Sequence, residues 1–287
     1  MAVARAGGRK KNNNALDWRS RAIHLRCMKP GTASVLSDQS FGVRPVARLR
    51  TPFADKFGVP RQSGLVEEAE GRVEFLPEFA REDFVRGLDA FSHVWLVTWF
   101  HRSAEWTGAA TVRPPRLGGN DRVGVFASRS PNRPNALGLS LVRLLAIETS
   151  PALALRVAGI DAVDGTPVLD VKPYLPWCEA LPTARADWAG GAPCVREAEA
   201  VSIPPPIAER LVHGSGPEGI RTLELVRHLL RLDLQPAYQR SDAGADAGGR
   251  RTWGMTVAGW NIRWRATEDG RGVEVVEADQ LRMTNDK

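Results

Sequence analysis

Cysteine is scarce in this chain. Its 287 residues hold three, Cys27, Cys178 and Cys194, with no CxxC pair among them. An odd and widely spaced set excludes a disulfide framework and points to a reducing compartment, the cytoplasm, rather than to secretion. His24 near Cys27 has no second ligand pair at zinc spacing, so no metal site is expected. No apolar run approaches the roughly 20 residues that a membrane span needs. A Walker A loop and a GxSxG elbow are also missing. Gly214, Gly216 and Gly219 formally satisfy GxGxxG. However, IAERLVH before them reads as helix rather than buried strand, and Glu218 would stand where pyrophosphate sits; the glycines read as a connection between two helices.

What the chain has in quantity is basic charge. The net charge is +6 and the pI near 9.6, a balance that suits a polyanionic partner or equally reflects arginine-rich coding. Hydrophobic residues make up 43%, enough for a sizeable core. The first 40 residues open as MAVARAGGRKKNNN, basic and polar with no apolar segment behind them, and are expected to be a disordered arm. An organelle transit peptide, an RNA-touching arm, or sequence upstream of a start at Met28 are the alternatives.

From Phe41 the pattern becomes globular. VRPVARLRTPF reads as a short strand broken at Pro52, and a strand pair is expected around Val73 and Phe75. Phe79, Phe84, Val85 and Leu88 stand at helical spacing, predicting a short helix within 77–91 that ends near Gly87 to Asp89. HVWLVTWF is a continuous apolar run, the mark of a fully buried strand, so His93, Trp95 and Trp99 are expected in the core. VGVFAS, LSLVRLLAIE, LALRVAGIDAV and PVLDVKPYL follow as strands, with a turn at Asp164-Gly165. Many short strands without regular βα alternation predict a mainly β (α+β) protein with a single β-barrel core. Residues 183–206 read as a linker, IAERLVH onward as two helices, and TWGMTV onward as two or three strands of a small α+β C-terminal domain. The expected organisation is 1–40, 41–200 and 201–287.

The richest stretch is Arg113 to Leu144. Arg113, Arg116, Arg122, Arg129 and Arg133 stand against the single acid Asp121 before residue 134, interleaved with glycines and prolines that hold the backbone in a shaped loop. Guanidinium forks on such a scaffold suit carboxylates and phosphates. PRQ (60–62), FHR (100–102), SRS (128–130) and DGTP (164–167) are further polar motifs at strand ends, which a barrel can bring to one rim. Such a pocket fits a small zwitterion carrying an adenosine.

PFADKFGVPRQSGL, GLDAFSHVWL, RPPRLGGNDRVGVFASRSPNRPNALGLSLV and GIDAVDGTPVLDVKPYLP, in that order, resemble the TrmO family, also called YaeB or VirR. The likeness is dense over Phe41–Pro182 and thinner through DLQPAYQ and GWNIRW. The chain departs from the family at Ala136 and Leu137, after RPN, and at Gln235, where the family usually has arginine. The resemblance implies S-adenosylmethionine-dependent methylation of N6-threonylcarbamoyladenosine at position 37 of threonine tRNA, by a homodimer with a β-barrel core. It carries the cofactor pocket onto Pro60, Arg61, Gln62, His101, Arg102, Arg129, Leu139, Asp164, Gly165, Thr166 and Pro167. A non-catalytic RNA-binding module, or a methyltransferase for another adenosine-like substrate, are the competing readings.

A urea nitrogen has a delocalised lone pair, so its methylation calls for a base or for donors to the neighbouring carbonyl. Candidate bases are His101, Asp164 and Asp170, with Lys172 and Tyr174 as polarising groups; a buried Asp170–Lys172 ion pair is the structural alternative. Arg129 is expected to meet cofactor or substrate. Arg113, Arg116 and Arg133 are expected to meet tRNA phosphates, with bracing of the loop as a second role for Arg133. Asn135 is expected to hold the loop.

Overall fold

Buried and half-exposed side chains alternate along most of the strands, and this alternation builds a closed barrel. The computed structural model describes residues 23–24, 42–117, 121–191, 195–232 and 251–281. The rest of the N-terminal arm over 1–40, Cys194, DLQPAYQ and the glycines Gly118 and Gly119 lie outside them, and Cys27 with the arm. The chain divides into two units, Met1–Arg44 and Pro45–Lys287. In the first, β1 (Ile23–His24) pairs antiparallel with β2 (Gly42–Val43).

The second unit begins with six antiparallel strands. These are β3 (Ala47–Arg50), β4 (Gly71–Phe75), β5 (His93–Trp99), β8 (Leu137–Glu148), β9 (Ala154–Ala158) and β10 (Thr166–Pro173). They close in the order β10-β3-β4-β9-β8-β5. Around 73 the chain forms one strand, paired with β3, rather than a pair of its own. Leu49, Val73, Val94, Leu96, Val142, Leu155, Val157 and Val168 fill the interior, each at most 1% exposed. Every CH₂ so buried contributes about 0.8 kcal/mol, which is why β-branched and leucine side chains dominate these positions.

Several expectations need correction. β5 is not buried on both faces: Val94, Leu96 and Thr98 point inward, while His93, Trp95, Val97 and Trp99 are half-exposed on the outside. Its outer face is apolar because aromatic neighbours share it. Tyr174 packs edge-on against both His93 and Trp95, and Trp95 Nε1 donates to Glu179 at 3.0 Å. The helix expected over 77–91 is replaced by turns and two 3₁₀ segments, Glu82–Phe84 and Leu88–Ala90. Gly87 sits at φ 82°, outside helical space, and Val85 and Leu88 turn inward against the barrel core while Phe84 is 53% exposed. VGVFAS is not a barrel strand either. Only β7 (Val123–Gly124) is extended, paired with β6 (Thr111–Val112), before a 3₁₀ turn over Val125–Ala127.

Past α1 (Pro176–Glu179), the stretch read as a linker contributes β11 (Val201–Ser202), which runs parallel to β14 (Val273–Gln280). With β12 (Thr252–Val257) and β13 (Trp260–Ala266) it forms a sheet in the order β11-β14-β13-β12. Helices α2 (Pro205–Gly214) and α3 (Gly219–Arg231) pack into the same core. The GxGxxG glycines do form the connection between these helices. At Gly219 a Cβ would lie 1.9 Å from the Val212 carbonyl oxygen, so only glycine lets the two helices approach this closely.

Gly138 is a tight point of the barrel rim. A Cβ there would stand 2.4 Å from Thr98 Oγ1 and 3.0 Å from the Phe100 ring. Gly138→Ala is therefore expected to cost roughly 1–3 kcal/mol through overpacking. Thermal unfolding followed by circular dichroism should show a lowered midpoint; an unchanged one would mean that the rim is loosely packed.

Candidate active site

Antiparallel order sends the chain alternately to the two ends of the barrel. One rim receives the ends of β3, β5 and β9 and the starts of β4, β8 and β10. Its three connections, 51–70, 100–136 and 159–165, contain PRQ, FHR, SRS and the start of DGTP. All four motifs thus stand at one rim. Lys172 and Tyr174 do not: Lys172 pairs across to Trp95 and the Tyr174 N–H bonds the His93 carbonyl, both toward the opposite rim.

Asp164 and Gly165 begin the turn into β10, with Gly165 at φ 78°. The Asp164 carboxylate accepts the Thr51 N–H at 3.0 Å and Arg50 Nη1 at 3.5 Å. Thr166 turns its hydroxyl onto the Val163 carbonyl at 2.7 Å, and Pro167 is buried beside it. Arg102 donates to the Ala54 carbonyl, tying the FHR motif to the loop that carries PRQ. A cleft of about 360 Å³ opens here, lined by Thr51, Pro52, Ala54, Arg102 and Asp164 and by the Ala258–Gly259 turn.

His101 carries the most informative side chain of this rim. Its Nδ1 is buried and has no hydrogen-bond partner among the described residues. Burial lowers its proton affinity most, helped by the charges of Arg102, Arg48 and Lys56 and opposed by Asp164. The ring is therefore neutral at pH 7. A buried ring nitrogen without a partner is uncommon in a structural role, and this one adjoins Arg102, which lines the cleft.

A second cluster joins PRQ to SRS. Arg129 Nη1 donates to Gln62 Oε1 at 2.6 Å, and Gln62 returns a bond to the Arg61 carbonyl. Beside them lies Asp161, a carboxylate that the sequence reading passed over. Burial raises its proton affinity; the Ser140 hydroxyl at 2.6 Å, the Ser63 N–H and the Arg129 charge hold it back toward the ionised form. Ser63 Oγ in turn accepts the Leu141 N–H at 3.1 Å. An acid flanked by Ile160 and Ala162, the first of two in GIDAVDG, was the available signal.

The remaining candidates scatter. Leu139 is 54% exposed on the outer face of β8, opposite Val97, and Val97 is in turn opposite Asp170. Asp170 and Lys172 do pair, at 3.0 Å, but as exposed groups and not as a buried ion pair. Both lie on the part of β10 that solvent reaches. Arg133 Nη1 braces the loop through the Ser128 carbonyl at 3.1 Å. Arg113 is exposed beside β6, and Asn135 is exposed too; the Arg116 side chain lies outside the described residues. Among the described residues no cluster of His, Cys, Asp and Glu has the form of a metal site.

Comparison with known proteins matches both parts of the chain. Residues 48–180 fit the model of the tRNA-methyltransferase O N-terminal domain, and residues 198–279 that of the TrmO C-terminal domain. The tRNA (adenine(37)-N6)-methyltransferase of Escherichia coli (strain K12) is 41% identical over 239 residues, covering 83% of this chain and 98% of that protein. A putative S-adenosylmethionine-dependent methyltransferase of Pseudomonas aeruginosa, RcsF, is 40% identical over 75% of this chain and 90% of its own length. The crystal structure of TrmO from Pseudomonas aeruginosa superposes with a TM-score of 0.65 at 30% identity, over 84% of this chain and all of that one. With both halves matched in order and relatives aligned nearly end to end, the chain belongs to the tRNA-methyltransferase O family.

Proposed function

We propose that this protein transfers a methyl group from S-adenosylmethionine to N6 of N6-threonylcarbamoyladenosine at position 37 of threonine tRNA. The observation that carries this reading is the convergence of PRQ, FHR, SRS and DGTP on one barrel rim, in a chain that is 41% identical to a tRNA (adenine(37)-N6)-methyltransferase. S-adenosylmethionine, when bound, supplies an electrophilic methyl on sulfur.

The residues present fit such a ligand. The unpartnered His101 Nδ1, the Gln62–Arg129 pair and the exposed Leu139 side chain offer a polar contact, a carboxylate-binding fork and an apolar contact. Pro60, Arg61, Arg102 and Asp164 to Pro167 complete the proposed pocket. Among the candidate bases His101 ranks first, because it is neutral and keeps a lone pair free. Asp164 already serves Thr51 and Arg50, and Asp170 stands on the outer face of β10. The burial that keeps His101 neutral, with the cations around it, also makes it a weak base, so most of the acceleration falls to positioning and exclusion of water.

Arg113, Arg116 and Arg133 are proposed to hold tRNA phosphates, with Lys172 and Tyr174 farther along the barrel. Val97, Trp99, Leu137 and Leu139 form an apolar outward face on β5 and β8, which we propose as the seat of a homodimer. The working division is an arm over 1–40, the methyltransferase barrel over 41–200 and a tRNA-contacting domain over 201–287. No helix among the described residues is long and apolar enough to cross a membrane, and the free thiol of Cys178 fits a reducing cytoplasm.

Three measurements test this reading. Titration calorimetry should show one S-adenosylmethionine site per chain, weakened roughly tenfold or more by Arg129→Ala through loss of a charged hydrogen bond; wild-type affinity in that variant would remove Arg129 from the pocket. In tRNA from a deletion strain, the methylated threonylcarbamoyl nucleoside should vanish from the mass spectrum and return with the gene. Its persistence without the gene would defeat the substrate assignment.

The third is a pH profile. His101 has a lowered proton affinity, so it charges only as the pH falls below the ordinary imidazole range. Protonation there adds a cation beside Arg102, Arg48 and Lys56 and opposes the sulfonium. Cofactor affinity should fall on the acid side, and His101→Gln should flatten that limb. An acid limb of unchanged shape would assign it to another group.

A further inference from the structure

The loop that carries Pro60–Gln62 belongs to two cores. It leaves the barrel at Arg50 and returns at Gly71, yet Phe53, Val66 and Ala69 are buried among the residues of the C-terminal α+β region. Phe57, Val59 and Leu65 pack against the same cluster. The Phe57 ring lies parallel to Trp264, 12° between planes and 6.0 Å between centroids. Gly58, at φ 95°, brings its backbone against Met255, whose Cβ would stand 3.2 Å from an added side chain. The Ala258 N–H bonds the Pro52 carbonyl at 2.7 Å. The barrel and its rim hold the loop on either side of 55–61, through Arg50, Thr51, Phe53 and Ala54 before it and through Gln62, Ser63, Gly64, Glu67 and Ala69 after it.

We propose that the β12–β13 hairpin is the scaffold of the cofactor loop, with Met255 and Trp264 as its positioning residues. The inference rests on the reading that Pro60–Gln62 contact S-adenosylmethionine. Gln62 and Arg129 must meet at 2.6 Å, and the loop spans the gap between them and the hairpin without a strand or helix of its own. Packing on the hairpin takes the place of that regular structure. A contact that orients a ligand-binding loop acts on affinity without touching the ligand.

The test is Met255→Ala in the full-length protein, titrated with S-adenosylmethionine well below the unfolding midpoint. Its Kd should rise roughly tenfold, as when a supporting contact is lost, with tRNA affinity unchanged. Amide exchange over 54–62 should quicken in the ligand-free protein while β5 and β8 stay protected. Met255→Leu, of similar volume, should restore both readouts. Phe57→Ala removes the contact from the loop side and decides the matter if Met255→Ala does not fold. Gln62→Ala serves as the reference. If it weakens S-adenosylmethionine binding and the two packing variants do not, the scaffold role is overturned; if Gln62→Ala binds as wild type, the reading of Pro60–Gln62 itself falls.

Discussion

Closure of the antiparallel barrel is the constraint from which the site follows. Once the six strands meet edge to edge, their backbone groups are paired all round, and every connection must emerge at one of two ends. Three connections share the rim where β3, β5 and β9 finish. The residues that bear chemistry sit within them, while the other end is plugged by Val85 and Leu88. A rim built this way is a rigid frame with adaptable contents, and the frame makes a shared site out of motifs as far apart as Pro60 and Asp164.

The electrostatics of that rim are one-sided. Arg48, Lys56 and Arg102 all bear on His101, and Arg129 bears on Asp161. Two carboxylates, Asp161 and Asp164, stand on the short 159–165 connection and temper this field from opposite sides. Asp164 lines the cleft and serves Arg50, whereas Asp161 turns toward Ser140 and Ser63, next to PRQ. Three residues of spacing separate a half-exposed acid from one whose proton affinity burial raises.

Much of this was legible in the chain itself. The strands around Leu49, Val142, Leu155 and Val168 announce themselves by apolar runs between turn residues, and the four polar motifs stand at their ends. What misled was periodicity without knowledge of partners. His93–Trp99 reads as doubly buried because Tyr174 and Trp95 make its outer face apolar as well, and 77–91 reads as a helix although its apolar residues serve to plug a barrel. Asp161 escaped notice because a carboxylate looks the same in sequence whether solvent reaches it or not. The anchoring of Phe53, Phe57 and Val66 escaped for a related reason. Their partners lie about two hundred residues away, and a loop's hydrophobes do not say which core they join.

That shared ownership of the 51–70 loop has a consequence for how the chain survives damage. Cutting the chain between β10 and α2 and parting the pieces would leave the barrel with all its strands, yet Phe53, Phe57, Val59, Leu65 and Val66 would lose their cover together. A contiguous apolar strip of that kind, projecting from a rim, favours self-association over a soluble fragment. The barrel is closed as a sheet but open as a surface, and the hairpin seals it together with the helices α2 and α3.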